Sequence, residues 1–396
     1  MSRRLVRRGL VAALALLLTA CGPSSNESPD ADPTAGGAPS ESAEPAPPPP
    51  TPTASGKPKP LRAGERRMSL AMPEAYTPKA PNGIGTDDYH CFLLDPHLKQ
   101  DAYLTGTNVL PGNPDVVHHV ILFRVTPQDL EAAQALDAAE PGQGWTCFGN
   151  TGFGAGPQLN DAPWLGAWAP GGKETVVEDG FGRRLEKGSR IVMQVHYNLL
   201  KGASPDISAT ELRLAPISAD LTELHTMLLP GPVELPCRKG HDGPLCSRDA
   251  ALQDVIGRFG PGVGQTADLL YLLCSGKPQP GSVQSCVRTM GEPTTIRAVA
   301  GHMHLLGRSI KIEVNPDTPQ ARTILDIKVW DFDNQAAKPI EPIHLEPFET
   351  VKVTCRHVQW LRDRLPAFEG QDDRYVLWGE GTTDEMCLGI LTVTNP

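Results

Sequence analysis

The chain has 396 residues, among them 40 prolines, 39 glycines and nine cysteines, with 36 Lys+Arg against 46 Asp+Glu for a formal net charge of −10. That acidic balance, with no basic cluster, argues against nucleic acid as a partner. Beyond one short N-terminal run, no stretch is long and apolar enough to span a membrane as a helix.

Residues 1–20 read as a lipoprotein signal peptide. Arg3, Arg4, Arg7 and Arg8 form a basic start, and residues 9–18 form an apolar run too short to cross a bilayer. Leu18-Thr19-Ala20-Cys21 matches the pattern of a bacterial lipoprotein cleavage site. It implies cleavage before Cys21, lipidation of that residue and attachment to a membrane through the acyl chains. Ordinary secretion, with Cys21 a bystander, is the alternative. Gly22 takes the place where an Asp would retain a lipoprotein in the inner membrane. The expected location is therefore the cell envelope, on the outer membrane or the outer face of the membrane. Without the four signal arginines, 32 Lys+Arg remain against 46 Asp+Glu, a net charge near −14.

Residues 21–61 are rich in Pro, Ser, Ala, Glu and Gly and read as a disordered tether. Fully extended as polyproline II, it would reach roughly 100 Å. The chain from Arg62 onward is too long for one ordinary core, so two domains are expected, 62–215 and 216–396.

The pattern is mostly strand. Short runs rich in branched residues lie at Val116–Val125, Ser189–Leu199, Thr295–Ala300, Ser309–Val314, Thr323–Trp330, Glu349–Cys355 and Leu388–Thr394, separated by Gly, Pro and Asp clusters. Only Pro127–Asp137 reads as helix. Many strands with few helices predict an all-β fold of two consecutive jelly-roll-like sandwiches. The polar, weakly patterned stretch Asp206–Thr222 is the expected boundary between them.

Setting Cys21 aside leaves Cys91, Cys147, Cys237, Cys246, Cys274, Cys286, Cys355 and Cys387. An even number in an exported chain reads as up to four disulfides. Eight cysteines allow 105 pairings. Proximity favours Cys237 with Cys246 and Cys274 with Cys286. No Cys-x-x-Cys is present, which disfavours a structural zinc site.

The metal-ligand candidates are histidines on or beside strands. His302 and His304, in Ala300-Gly301-His302-Met303-His304, stand two apart, and residues i and i+2 of a strand point the same way. His118 and His119 are adjacent in a strand-like run, so one metal can take both only if the strand bulges or ends there. Otherwise one is a core histidine and the other a surface one. His196 in Gln194-Val195-His196-Tyr197 could equally be a satisfied buried histidine, and Met386 could be core packing.

Taken in order, these pieces resemble the copper type II, ascorbate-dependent monooxygenases, the family of peptidylglycine α-hydroxylating monooxygenase and dopamine β-monooxygenase. The matching pieces are Asp88-Tyr89-His90-Cys91-Phe92, His118-His119-Val120, Trp168-Ala169-Pro170-Gly171, Met193-Gln194-Val195-His196-Tyr197, Gly301-His302-Met303-His304-Leu305-Leu306-Gly307 and Thr383-Asp384-Glu385-Met386-Cys387. The resemblance implies two sandwiches with a solvent-filled cleft between them and two coppers per chain. One copper would be held by His118, His119 and His196 and would relay electrons. The other would be held by His302, His304 and Met386, the catalytic set, where O₂ binds. Ascorbate or a similar donor would supply the electrons. Gln194 is the candidate for ordering water near the first copper. The family also pairs the cysteine beside the methionine ligand with an upstream one, here Cys387 with Cys355, and Cys91 with Cys147 fits the first domain similarly.

Where peptide-amidating members carry Arg, Asn and Tyr, this chain has Ala300, Leu388 and Ile390. A C-terminal glycine peptide is therefore a poor expectation, and the apolar replacements point to a less polar substrate. Two functions are open: a monooxygenase acting on a small-molecule or peptide-like C–H bond, or a lipid-anchored copper-binding protein without turnover, used for storage, sensing or delivery. A zinc hydrolase built on His302 and His304 would leave Met386 without a role.

Overall fold

Alternation along one strand organises the first half of the molecule. In the computed structural model, Ile191, Met193, Val195 and Tyr197 of Arg190–Asn198 enter one hydrophobic core, while Val192 enters another on the opposite face. A strand covered on both sides reads as a nearly continuous apolar run, as this one does. The structure describes residues 52, 56–80, 86–154 and 159–394. The signal peptide, Cys21 and most of the tether lie outside the described residues. Among the described residues, no helix is long and apolar enough to cross a membrane.

The chain is all-β, built as two consecutive β-sandwiches. The first pairs a six-stranded with a five-stranded sheet. The six-stranded sheet runs Arg66–Ala71, Ala209–Pro216, Ala102–Leu110, Phe181–Leu185, Thr222–Glu223, with Thr175–Val176 added beside Ala102–Leu110. The five-stranded sheet runs Trp145–Thr146, Asp87–Leu94, Arg190–Asn198, Val117–Val125, Trp164–Trp168. The second sandwich pairs two four-stranded sheets. One runs His225–Gly231, Cys387–Thr394, Thr294–His302, Lys338–Leu345, and the other Val283–Thr289, Thr350–His357, Gly307–Val314, Arg322–Ile327. Its core holds Ile296, Val299, Ile310, Ile312, Val351, Val353 and Leu391. Gly301 and Gly389 face each other across a strand pair. A Cβ on either would meet Ile310 or Ile312 of the opposing sheet at 2.9 Å, so the two sheets close tightly beneath His302.

Three expectations need correction. Asp206–Thr222 is not a boundary. Ala209–Pro216 is an interior strand of the first sandwich, with Leu212 and Leu214 in the core. Its polar look misleads because Arg213, 2 % exposed, is paired with Glu65. Thr222–Glu223 still pairs with Phe181–Leu185, and the second sandwich starts with His225–Gly231. The chain is also fastened to the first sandwich before Arg62, because the Lys59 N–H donates to Glu174 and its carbonyl accepts from Arg67. Finally, two helices join Leu130–Ala139, namely Arg248–Phe259 and Pro261–Cys274. Gly257, Gly260, Pro261, Gly262 and Gly264 mask them as a loop in the sequence. In fact Gly260, at φ 86°, separates the helices and Pro261 opens the second. Gly264 lies so close to Ile256 that a Cβ would sit 2.5 Å away, so it serves as a helix-packing contact.

The four disulfides are Cys91–Cys147, Cys237–Cys246, Cys274–Cys286 and Cys355–Cys387. These are the two pairs favoured by proximity and the two implied by the resemblance, and such bonds suit an oxidising, exported setting. The last joins residues 32 apart. Replacing both Cys355 and Cys387 by Ala is expected to lower the unfolding free energy of the second sandwich by about 3–4 kcal/mol. Denaturant titration would read this as an earlier midpoint, and an unchanged midpoint would refute it.

Candidate metal centre

His118 and His119 reach one place because their strand is bulged. Val117 and Val120 both enter the first core, although three residues apart, a spacing that regular alternation forbids. The pairing with Arg190–Asn198 steps from Val117↔Tyr197 to His119↔His196, leaving His118 as the extra residue. With Val117 and Val120 turned inward, both histidines emerge on the face that carries His196. Their donor atoms lie within 4.8 Å of one another. His119 Nδ1 stands 3.2 Å from His118 Nδ1 and 3.1 Å from His196 Nδ1.

Asp87 decides what those atoms offer. Its Oδ1 lies 2.8 Å from His196 Nε2, which places the ring proton on Nε2 and leaves Nδ1 as a lone pair. One proton on His119 Nδ1 can serve only one of its two neighbours, so the three nitrogens cannot satisfy each other. A metal ion would satisfy all three at once, so the residues fit one. Tyr89, opposite His196 on the neighbouring strand, stacks on it at 4.1 Å and 6°.

The second set sits where the strand Thr294–His302 ends. His302 faces Leu388 across the pair with Cys387–Thr394. His304 and Met386 lie two residues beyond that pair on their respective chains. Glu385 ties them together. One of its oxygens accepts from the backbone N–H of His304 at 3.0 Å and of Met386 at 3.2 Å, and the other from Leu306 at 2.5 Å. Glu385 is fully buried and sits 3.3 Å from His357 Nε2, which also lies 3.1 Å from the Met386 carbonyl. Gln335 meets His302 Nδ1 at 2.6 Å, leaving Nε2 for a ligand. His304 Nδ1 is buried without a hydrogen-bond partner.

The two sets meet across the sandwich interface. The His119 and His302 rings stand 6.1 Å apart, closer than a solvent-filled cleft between the coppers implies. Phe332, from the second sandwich, stacks on His118 at 4.5 Å and stands 6.2 Å from His304. Thr382 donates to Asp87 at 2.9 Å, and the Tyr89 hydroxyl donates to the Glu380 carbonyl. Gly149, at φ 62°, admits the Glu380 carboxylate where a Cβ would lie 2.6 Å from its oxygen. This closure buries His196 (1 % exposed) and His304 (2 %), while His118, His119 and His302 keep partial exposure. Loss of water, reinforced by neighbouring imidazoles, pushes His118 down to about 2, His302 to about 3 and His119 well below its ordinary value. Burial lowers His304 as well. The rings are neutral at pH 7, the form that binds metal.

Gln194 stands two residues before His196 on the same strand. Its amide donates to Cys147 Sγ at 3.4 Å and to the Asn150 carbonyl at 3.4 Å, so it braces the Cys91–Cys147 bridge. The supporting groups that sequence reasoning passed over are Asp87, Tyr89, Glu385, Gln335 and Phe332. Tyr89 and Glu385 stood inside recognised motifs. Gln335 and Phe332 lie in a loop with no local signal.

No family model and no curated protein matches the chain. Among solved structures, infectious bursal disease virus VP2 aligns at 7 % identity over 87 % of this chain and 75 % of its own, with TM-score 0.20. A fucolectin from striped bass (Morone saxatilis) serum aligns at 7 % over 79 % and 84 %, with TM-score 0.18. An allantoicase aligns at 14 % over 74 % and 78 %, with TM-score 0.16. At these scores none of them bears on function.

Asp87→Asn is expected to weaken metal binding at the His118–His119–His196 set by about 10–100-fold, measured by competition with a chelator, and equal affinity would remove its orienting role. A second expectation concerns pH. Because the folded site disfavours ring protonation, stability is intact above about pH 6.5 and falls as pH drops toward the folded values, the unfolded chain taking up the protons. For each strongly desolvated imidazole the loss between pH 7 and pH 5 is about 2 kcal/mol. Unfolding of metal-free protein should therefore depend less on pH in His302→Leu, and equal dependence would contradict the assignment.

Proposed function

We propose that this chain is a copper-dependent monooxygenase that hydroxylates a C–H bond, using O₂ and electrons from ascorbate or a similar donor. The observation that carries the proposal is the convergence of three Nδ1 atoms at 3.1–3.2 Å, with the His302–His304 pair 6.1 Å away across the interface, where Met386 would add a softer thioether donor. Imidazole suits both copper oxidation states and thioether favours Cu(I). Copper, when bound, supplies one-electron chemistry and the activation of dioxygen.

The protein's part is orientation and exclusion of water. Asp87 holds the proton of His196 on Nε2, Gln335 holds His302 by Nδ1, and Glu385 fixes the backbone of His304 and Met386. Ala300 opposes Ile390 and His302 opposes Leu388, so the strand pair that ends at His302 carries apolar side chains. This supports a substrate less polar than a peptide carboxylate. Attachment through a lipidated Cys21 would hold the enzyme at the envelope surface.

A copper-binding protein without turnover is the second reading. It is favoured by the 6.1 Å approach of His119 and His302, which leaves little room for substrate between them.

Copper stoichiometry separates the readings from a protein that has lost its metal chemistry. Two coppers per chain, falling to one in His302→Ala, are expected, and one or none in the parent would overturn the proposal. Met386→Ile should abolish ascorbate-dependent oxygen uptake while the first copper is retained. Oxygen uptake unchanged by Met386→Ile, or absent from the two-copper parent, would favour the carrier. Glycine-extended peptides are expected not to be amidated, and their turnover would refute the apolar-substrate assignment.

A further inference from the structure

Eleven large apolar side chains are exposed among the described residues, and five of them belong to one disulfide-linked unit. Leu269 (45 % exposed), Leu272 (56 %) and Leu273 (64 %) lie on Pro261–Cys274, whose other side puts Val263, Ala267 and Leu270 into the second core. Val283 (55 %) and Val287 (50 %) lie on Val283–Thr289, the outermost strand of its sheet. The Cys274–Cys286 bond, with Cα atoms 4.8 Å apart, fastens the end of the helix carrying Leu273 to the strand carrying Val287. Grouped exposure of this kind marks an interaction surface, whereas scattered apolar residues do not.

The flanking charges are cationic. Val283 opposes Arg356 and Val287 opposes Lys352 on the next strand, so these side chains share the outer face. Lys277 lies in the connection between helix and strand. Lys277, Lys352 and Arg356 have no ion-pair partner among the described residues. Glu313, opposite Lys352 on the following strand, is paired with Lys311 at 2.8 Å. On a chain of net charge −10, this is a local exception.

We propose that this face docks on a bilayer containing anionic lipid. The leucines and valines enter the boundary between headgroups and acyl chains, and Lys277, Lys352 and Arg356 meet lipid phosphates. The inference rests on the lipid-anchor reading, in which an acylated Cys21 fastens the chain to a bilayer. An otherwise acidic protein would be repelled by an anionic surface in any other orientation.

The test uses the mature chain from Gly22, exported behind a cleavable signal and so without lipid, in flotation with phosphatidylethanolamine–phosphatidylglycerol vesicles. Flotation is expected, weakened by salt and by removal of phosphatidylglycerol. Leu272→Glu with Leu273→Glu should reduce the floating fraction about tenfold. Val283→Glu with Val287→Glu should do the same from the strand side, whereas Leu200→Glu on the first sandwich should not. Copper stoichiometry and circular dichroism confirm folding of each variant. Absence of flotation, or flotation untouched by both double variants, overturns the proposal. So does a dimer in light scattering that the same variants dissociate, because a second copy is then the occupant. Mass analysis of Cys21 in the full chain tests the anchor separately. A lipidated Cys21 with no flotation of the mature chain sinks the docking surface alone, and flotation with an unmodified Cys21 sinks only the anchor.

Discussion

Three imidazole nitrogens crowded together at 3.1–3.2 Å form an arrangement in which no single ring proton satisfies all three. His118, His119 and His196 meet at Nδ1 because a single extra residue interrupts the ladder at His118. The core demand behind it is simple, since Val117 and Val120 must both be buried and a regular strand cannot place both inward. The bulge meets that demand and, as its consequence, turns two adjacent histidines to one face. Burial then keeps His118 and His119 neutral, and Asp87 sets which nitrogen of His196 is free. Each step depends on the one before it.

The second sandwich is a wall of the first site as much as a site of its own. Asp87 accepts from Thr382, Tyr89 reaches the Glu380 backbone, and Phe148 packs edge-on against Phe259 at 5.2 Å. The outer face of the five-stranded sheet would otherwise expose His196 to water. Phe332 and Gln335, three residues apart, touch candidate donors from both halves. The two donor sets are therefore mechanically linked, and a change in sandwich packing would alter both together.

Glu385 plays a corresponding role in the second set. A buried carboxylate is costly unless its oxygens are occupied, and here three backbone N–H groups and His357 surround it. The same bonds hold the turn after His302 beside the segment carrying Met386. A requirement of electrostatic satisfaction thus becomes a means of placing ligands that lie 82 residues apart, from His304 to Met386.

How much was legible in the sequence depends on how local the cause was. Strands such as Arg190–Asn198 and Cys387–Thr394 announce themselves as short apolar runs rich in branched residues. The ligand types were visible as motifs, and two short disulfides could be read from proximity. Ala209–Pro216 was hidden, because its buried Arg213 is neutralised by Glu65 from a strand start 148 residues away. The helices at 248–274 were hidden, because Gly260 and Pro261 mark a junction between two helices and Gly264 is a packing contact with Ile256. Sequence alone therefore determined the fold class and which side chains could bind metal. Tertiary structure decided that His118 and His119 share a face, that Asp87 and Glu385 govern them and their partners, and that the two sets touch. Those outcomes depend on contacts between distant segments, and water is excluded only once both sandwiches have closed.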